Sequence, residues 1–252
     1  MGCGNYIILK NINNILKYKL KINFKNIIFV SGIGCSSRMV HYLNYLSING
    51  THGRSASIAT GIYLVNKKIK IIIISGDGDT LSIGLNHFIH LVINNINLLY
   101  LMINNSIYAL TKGQKNNILF KFNVLLMLLI LKCKFIARVY DNYKYFNKIF
   151  IKAFKIKSLS FIEIIQYCSI YNKTFINYNN IFILKNKNII KNKKYCILYK
   201  DNKFIISPLK KKIYNKKFLF IHEYNNYNKV FLLLNFFYKK NISYMGIIYN
   251  NI

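Results

Sequence analysis

Two side chains near the middle of this sequence have the types and spacing of a metal-binding pair. Asp77 lies in Gly76-Asp77-Gly78-Asp79, just after the β-branched run Ile71 to Ile74. Asn105 follows 28 positions later, after a second apolar run, Leu98 to Ile103. The first supplies charge and the second a neutral oxygen. Mg²⁺ takes oxygen ligands in near-octahedral geometry, usually one or two from protein and others from phosphate. The pair suits a divalent cation bound to a diphosphate, and the glycines let backbone approach the phosphates closely.

Such a pair works only if the fold brings two distant turns together. The apolar runs predict two strands, with a helix-compatible segment, Ile83 to Val92, between them. In an α/β sheet, parallel strands joined in this way present their carboxyl ends on one edge, where ligands bind. Other strand-then-turn units recur. Asn26 to Val30 runs into Gly32-Ile33-Gly34-Cys35-Ser36-Ser37-Arg38, Phe135 to Val139 reads as a strand, and Ser160 to Ile165 leads to Tyr167-Cys168-Ser169-Ile170-Tyr171-Asn172. Cys35, Asp77, Asn105 and Cys168 thus each follow a predicted strand and are expected on one edge.

Helices are predicted at the start, where Ile8, Ile12, Ile15 and Leu16 recur at helical spacing, and over Ala56 to Val65, after Thr51-His52-Gly53-Arg54. Two more are predicted over Val124 to Leu131 and Tyr145 to Phe154. The expected fold class is α/β, a doubly wound and mostly parallel sheet. Beyond Asn172 the pattern fades. Tyr195 to Tyr199 reads as an edge strand and Val230 to Tyr238 as a helix or a strand. Lys210 to Lys212, after the single proline Pro208, reads as a solvated charge run. The expected division is a domain over 1–172, with 173–252 as a diverged C-terminal extension packed on it.

The chain has 252 residues and is 53% hydrophobic, enough for a sizeable core. Its 37 Lys and Arg against 6 Asp and Glu give a net charge of +31, which alone suggests nucleic acid or an anionic surface. The excess is mostly Lys, spread along the chain among abundant Asn, Ile and Tyr. These residues have A/T-rich codons, so the basicity reads as compositional drift. A nucleic-acid binder should instead concentrate Lys on one face with aromatics placed for stacking. Five cysteines at irregular spacing read as free thiols or metal ligands rather than a disulfide framework. Neither a secretion signal nor a run of ~18 apolar residues is visible, so a cytoplasmic protein without membrane contact is expected.

The extended blocks GDGDTLSIGLNHFIH (76–90) and NNSIYALTKGQ (104–114), with GIGCSSR (32–38) and HGR (52–54), resemble one family over roughly residues 2 to 170. That family is the β subunit of 2-oxoacid:ferredoxin oxidoreductases. The resemblance implies the thiamine-diphosphate-binding (PP-domain) type of sheet. It implies that Asp77 and Asn105 bind Mg²⁺ by side chains and Ile107 by its backbone oxygen. Gly78, Asp79, Ala109 and Leu110, with Ile33, Gly34, Cys35, Ser36 and His52, would line the cofactor site.

It also implies a [4Fe–4S] cluster on thiolates, three of them from Cys3, Cys35 and Cys168. Gly2-Cys3-Gly4-Asn5 matches the second half of the family's WCPGCGN-like block. The first cysteine of that block would fall just before Met1, so the fourth ligand is missing from the chain, and a misplaced start is the favoured reading. Cys133 and Cys196 lie in no ligand block and read as buried small hydrophobes. Lys115-Asn116-Asn117 stands where the family has a Ser-Pro segment, and the block around Cys168 lacks its proline.

The family places a basic residue near the far end of the 2-oxoacid. Arg38 there would pair bidentately with a second carboxylate and favour 2-oxoglutarate over pyruvate. Pairing with a phosphate or a partner's acid is the alternative. The chain's only glutamates, Glu163 and Glu223, match no block for activating the cofactor's aminopyrimidine. An α subunit carrying a pyrimidine-binding domain is therefore expected, with ferredoxin, a 2-oxoacid and coenzyme A as further partners. The implied function is oxidative decarboxylation to an acyl-CoA. Alternatives are a pyruvate-specific member, a basic nucleic-acid-binding protein, and a subunit that keeps the fold without turnover.

Overall fold

Residues 71–74 and 98–103 are apolar at every position because both faces of their strands are covered. The computed structural model describes residues 3–115, 122–141, 146–166, 168–171, 180–201, 203–209 and 219–251. Met1, Gly2, Asn116, Asn117, Tyr145, Tyr167, Asn172 and Lys210 to Lys212 lie outside the described residues.

The first half alternates strand and helix: α1 (Gly4–Asn14), β1 (Ile27–Ser31), β2 (Leu46–Asn49), α2 (Ser55–Val65), β3 (Lys70–Gly76), α3 (Leu85–Ile93) and β4 (Leu98–Asn104). A short hairpin of β5 (Ile107–Tyr108) and β6 (Gln114–Lys115) follows. Next come α4 (Val124–Ile130), β7 (Phe135–Tyr140), α5 (Phe146–Lys155) and β8 (Ser160–Ile165). The remainder contains β9 (Phe182–Leu184), β10 (Asn188–Ile189), β11 (Tyr195–Lys200), β12 (Lys203–Pro208), β13 (Ile221–His222), α6 (Tyr227–Lys239) and β14 (Tyr244–Asn250).

Eight strands form one sheet in the order β2-β1-β3-β4-β8-β7-β14-β9. All neighbours are parallel except β14 against β7. Alternation along β3 divides the core. Ile71 and Ile73 face one apolar layer with Ala56 and Ala59 of α2, Phe88 of α3, Leu128 of α4 and Leu233 of α6. Ile72 and Ile74 face another with Ile8 and Ile12 of α1 and Phe146 and Phe150 of α5. Helices therefore cover both faces, and the sheet is doubly wound. Strand order switches between β1 and β3: from β1 the chain moves outward to β2, and from β3 it moves the other way to β4. In open α/β sheets ligands bind at the carboxyl ends flanking such a switch point.

Several expectations change in detail. Asp79–Ile83 already forms a π-helical turn, so helical structure starts within the Gly-Asp-Gly-Asp segment rather than at Ile83. Strand β2 was not expected; it is only four residues long, and all four are exposed on the sheet edge. Tyr195 to Tyr199 pairs with β12 in a two-stranded hairpin outside the eight-strand order, rather than on the main sheet's edge. Val230 to Tyr238 resolves as helix. Val230, Leu233, Leu234 and Phe237 are buried at helical spacing, and the Asn226 side chain caps the first turn by accepting from Lys229 N–H at 3.1 Å.

Of the six acids, Asp77, Asp79, Asp141 and Glu163 are buried, which leaves the surface almost wholly cationic. Among the described residues no helix is long and apolar enough to cross a membrane.

Candidate cofactor cleft

At the carboxyl ends of β1, β3 and β4 lies a cleft of about 230 Å³. Its walls are Ile33, Gly34, Cys35 and Ser36 after β1, His52 after β2, Gly76 to Asp79 after β3, and Asn105, Ile107, Ala109 and Leu110 after β4. The structure thus brings together every residue expected around the diphosphate and its metal. Tyr108 and Thr111 line it too and were missed, although both lie inside the quoted 104–114 block.

Close approach explains two glycines. A Cβ on Gly78 would stand 2.4 Å from the Tyr108 ring, and one on Gly32 would stand 2.1 Å from the Asp79 carboxylate. Any side chain at Gly32 would push the β1 turn off Asp79.

Asp79 is the hub of this edge. Its Oδ1 accepts from Ile33 N–H at 3.1 Å, from Gly53 N–H at 2.7 Å and from His52 Nδ1 at 2.6 Å. Its Oδ2 accepts from the Ser75 hydroxyl at 2.6 Å. Thr80 donates to Ser75 Oγ at 3.0 Å, so Tyr100, 3.0 Å from Thr80 Oγ1, donates in its turn. One buried carboxylate thus ties the β1 turn, the β2 turn and the start of the helical segment into one unit. Because a carboxylate only accepts, His52 must carry a proton on Nδ1. Asp79 lines the cleft, but its oxygens are occupied with holding other segments.

Asp77 is different. It is 3% exposed, and its Oδ2 accepts from Ser106 N–H at 3.0 Å. Burial pushes its carboxyl up to about 7, against the pull of backbone N–H groups at Gly78, Asp77 and Ser106, and the nearby Glu163 charge pushes the same way. A buried carboxylate that pairs with no cationic side chain among the described residues is what a divalent ion would neutralise. Asn105 Oδ1 accepts from Ile107 N–H at 3.1 Å, a local turn that sets the carboxamide. A carboxylate, a carboxamide and a backbone carbonyl make a hard-oxygen set suited to Mg²⁺. The residues present fit the metal and the diphosphate.

A second cleft of about 230 Å³ adjoins the first and shares Cys35 with it. Cys3, Tyr6, Leu9, Arg38 and Tyr42 complete most of its lining. Burial raises the Cys35 thiol, Cys168 and Cys3 raise it further, and Arg38 opposes them. The three cysteines expected as cluster ligands, all free thiols, thus share one electrostatic neighbourhood. Tyr171 N–H donates to Cys168 Sγ at 3.5 Å, as backbone groups do around cluster sulfurs. Among the described residues no three His, Cys, Asp or Glu side chains form a single-ion site. Arg38 is exposed and is not among the residues lining the Asp77 cleft.

Cys133 and Cys196 lie away from both clefts. Burial pushes Cys133 up to about 12, and its thiol donates to Phe135 O at 3.5 Å.

Residues 32–164 match the family described as "Thiamine pyrophosphate enzyme, C-terminal TPP binding domain". The chain is 37% identical over 187 residues to the 2-oxoglutarate oxidoreductase subunit KorB of Mycobacterium tuberculosis, covering 68% of this chain and 50% of that one. It is 34% identical over 189 residues to the 2-oxoacid:ferredoxin oxidoreductase subunit beta of Saccharolobus solfataricus, covering 68% and 62% respectively. The chain thus spans less than two thirds of either relative. A solved 2-oxoglutarate:ferredoxin oxidoreductase from Magnetococcus marinus, with 2-oxoglutarate, coenzyme A and succinyl-CoA bound, shares the fold. Its TM-score is 0.77 at 22% identity, covering 99% of this chain and 79% of that one. With more than half its length inside the matched span, and the Asp77–Asn105 cleft at its centre, the chain belongs to the thiamine pyrophosphate enzymes and carries their C-terminal TPP-binding domain.

Proposed function

We propose that this chain is the β subunit of a 2-oxoacid:ferredoxin oxidoreductase, a cytoplasmic enzyme that oxidatively decarboxylates a 2-oxoacid, 2-oxoglutarate in the first instance, to its acyl-CoA. The observation that carries the reading is a juxtaposition. An Asp77–Asn105–Ile107 oxygen set and a Cys3–Cys35–Cys168 thiol group meet at Cys35, on one edge of the sheet. A thiamine enzyme without electron transfer needs only the first of these.

When bound, thiamine diphosphate supplies a nucleophilic carbon and an electron sink for decarboxylation, and a [4Fe–4S] cluster supplies one-electron transfer. The chain's own residues bind and orient. Asp77, Asn105 and the Ile107 carbonyl would hold Mg²⁺ against the diphosphate. Gly78 leaves room beside Tyr108. Asp79 keeps a proton on His52 Nδ1 and fixes the Ile33–Ser36 turn that forms the opposite wall. Cys3, Cys35 and Cys168 would hold the cluster, with the remaining ligand to be identified.

No glutamate faces the Asp77 cleft among its lining residues. An α subunit must then provide the group that activates the cofactor, together with part of the substrate and coenzyme A sites. Purified alone, the chain is expected to bind thiamine diphosphate with Mg²⁺ and to release no CO₂ from 2-oxoglutarate. Adding the α subunit, coenzyme A and ferredoxin is expected to start turnover. Turnover by the chain alone would contradict the reading.

Arg38 is assigned to the far carboxylate of the substrate. A guanidinium paired with a carboxylate gives a charge-assisted contact of about 2 kcal/mol, or roughly thirtyfold in selectivity. Arg38→Ala is expected to lower the ratio of kcat/KM for 2-oxoglutarate to that for pyruvate by about this factor. An unchanged ratio assigns Arg38 to the thiol group beside it instead.

A further inference from the structure

Behind the metal ligands lies a second buried charged group. Glu163 is 1% exposed in a strand that is apolar apart from it and Ser160, and it is one of only six acids in the chain. In register it lies opposite Arg138 of β7. Its Oε2 accepts from Arg138 Nε at 2.6 Å, and its Oε1 from Asn104 Nδ2 at 2.7 Å. Asn104 Oδ1 in turn accepts from Ser106 N–H at 3.1 Å and from the Ser106 hydroxyl at 3.2 Å. That same N–H is shared with Asp77 Oδ2 at 3.0 Å. Ser106 stands at φ 59°, a left-handed backbone that a non-glycine residue adopts at a cost.

Stability does not explain the Arg138–Glu163 pair, because exchanging a buried ion pair for packed apolar side chains is often neutral or stabilising. Burial pushes the Arg138 guanidinium down, but the Glu163 charge and hydrogen bond, with Tyr244 and Tyr140, together raise it above its ordinary value. The ring of Tyr244, 4.6 Å from the guanidinium carbon, backs the same group. What the pair does, and apolar residues could not, is present a fixed acceptor to Asn104. An amide can point either way. An acceptor-only carboxylate at Nδ2 forces the Asn104 oxygen towards Ser106. Turned over, Asn104 would set donors against the Ser106 N–H and free the turn that carries Asn105 and Ile107.

We propose that Glu163, held by Arg138, is a positioning residue for the metal site. Through Asn104 and Ser106 it fixes the Asp77 carboxylate and the Asn105 turn. The proposal rests on the functional reading above. It is tested in the assembled complex by titrating Mg²⁺ at fixed thiamine diphosphate, followed by calorimetry, with Tm measured in parallel. The double variant Glu163→Leu/Arg138→Met keeps the core apolar and leaves no charge unpaired.

Its Tm is expected to match or exceed wild type, while the Mg²⁺ needed for half-saturation rises about tenfold or more, the usual effect of losing an outer-shell partner. A folded double variant with the wild-type Mg²⁺ requirement would overturn the proposal. Should the double variant not fold, Asn104→Ala decides by the same titration. A rise of about tenfold supports the relay, and a wild-type value refutes it. Wild-type complex that bound no thiamine diphosphate with Mg²⁺ would overturn the functional reading and this proposal together, and the wild-type titration reveals that case before any variant is read.

Discussion

Asp77→Ala is expected to abolish Mg²⁺-dependent binding of thiamine diphosphate at concentrations that saturate the wild-type protein. Asp77 is the only carboxylate in the proposed oxygen set; Asn105 and Ile107 contribute neutral oxygens. Removing a charged, hydrogen-bonded partner from a buried site costs about 3 kcal/mol, or roughly a hundredfold in Kd. The loss should be specific to the ligand. In the absence of a cation, burial already pushes the Asp77 carboxyl up to about 7, so alanine removes a group that burial disfavours. Tm of the cofactor-free variant is therefore expected to stay near the wild-type value. Asp77→Asn, which keeps an oxygen for the Ser106 N–H, should fall between the two. Calorimetry giving equal affinities for wild type and Asp77→Ala would remove Asp77 from the metal site.

The chemistry here was legible where it sits on backbone turns after buried strands. Such strands are continuous apolar runs, and the turns they enter stand out as Gly-Asp-Gly-Asp or Asn-Asn. Asp77, Asn105 and the Ile33–Ser36 turn could be read for that reason. Asp79 was read as a cofactor contact from the family resemblance. Its occupation by Ile33, by His52 and Gly53, and by Ser75 draws on three separate segments, and the sheet order brings the first two to the third.

The Glu163–Arg138–Asn104 relay was hidden for the same reason, since a lateral contact between β4, β8 and β7 leaves no periodic trace. A cue was present: a glutamate inside SFIEII, in a chain with almost no acids. The β14 pairing was equally illegible. An antiparallel strand added after six parallel ones follows from no strand–helix–strand unit, and its partner β7 lies more than a hundred residues upstream.

Cys35→Ser is expected to strip the protein of most of its iron. Cys35 occupies the junction of the two clefts, and its thiol responds to Cys168 and Cys3 as neighbours. It is thus the central member of the thiol group. A cluster held by thiolates loses both a ligand and a bridge to its site when that member goes, and a serine oxygen is a harder and poorer donor to iron–sulfur centres. Burial and the neighbouring thiols push the Cys35 thiol up, and the positive charge of Arg38 opposes them without reversing the direction.

Cys133→Ala supplies the control. That cysteine is buried in the apolar core, its thiol is pushed up to about 12 by burial, and it lies in neither cleft, so iron content should not change. The measurement is iron and acid-labile sulfide, with EPR of the reduced protein, on complex assembled without oxygen. Iron kept at the wild-type level in Cys35→Ser would take Cys35 out of the ligand set. Iron lost equally from Cys133→Ala would mean that the first result reported misfolding. A wild-type complex with neither iron nor sulfide would refute the cluster, leaving the Asp77 cleft to be judged on cofactor binding alone.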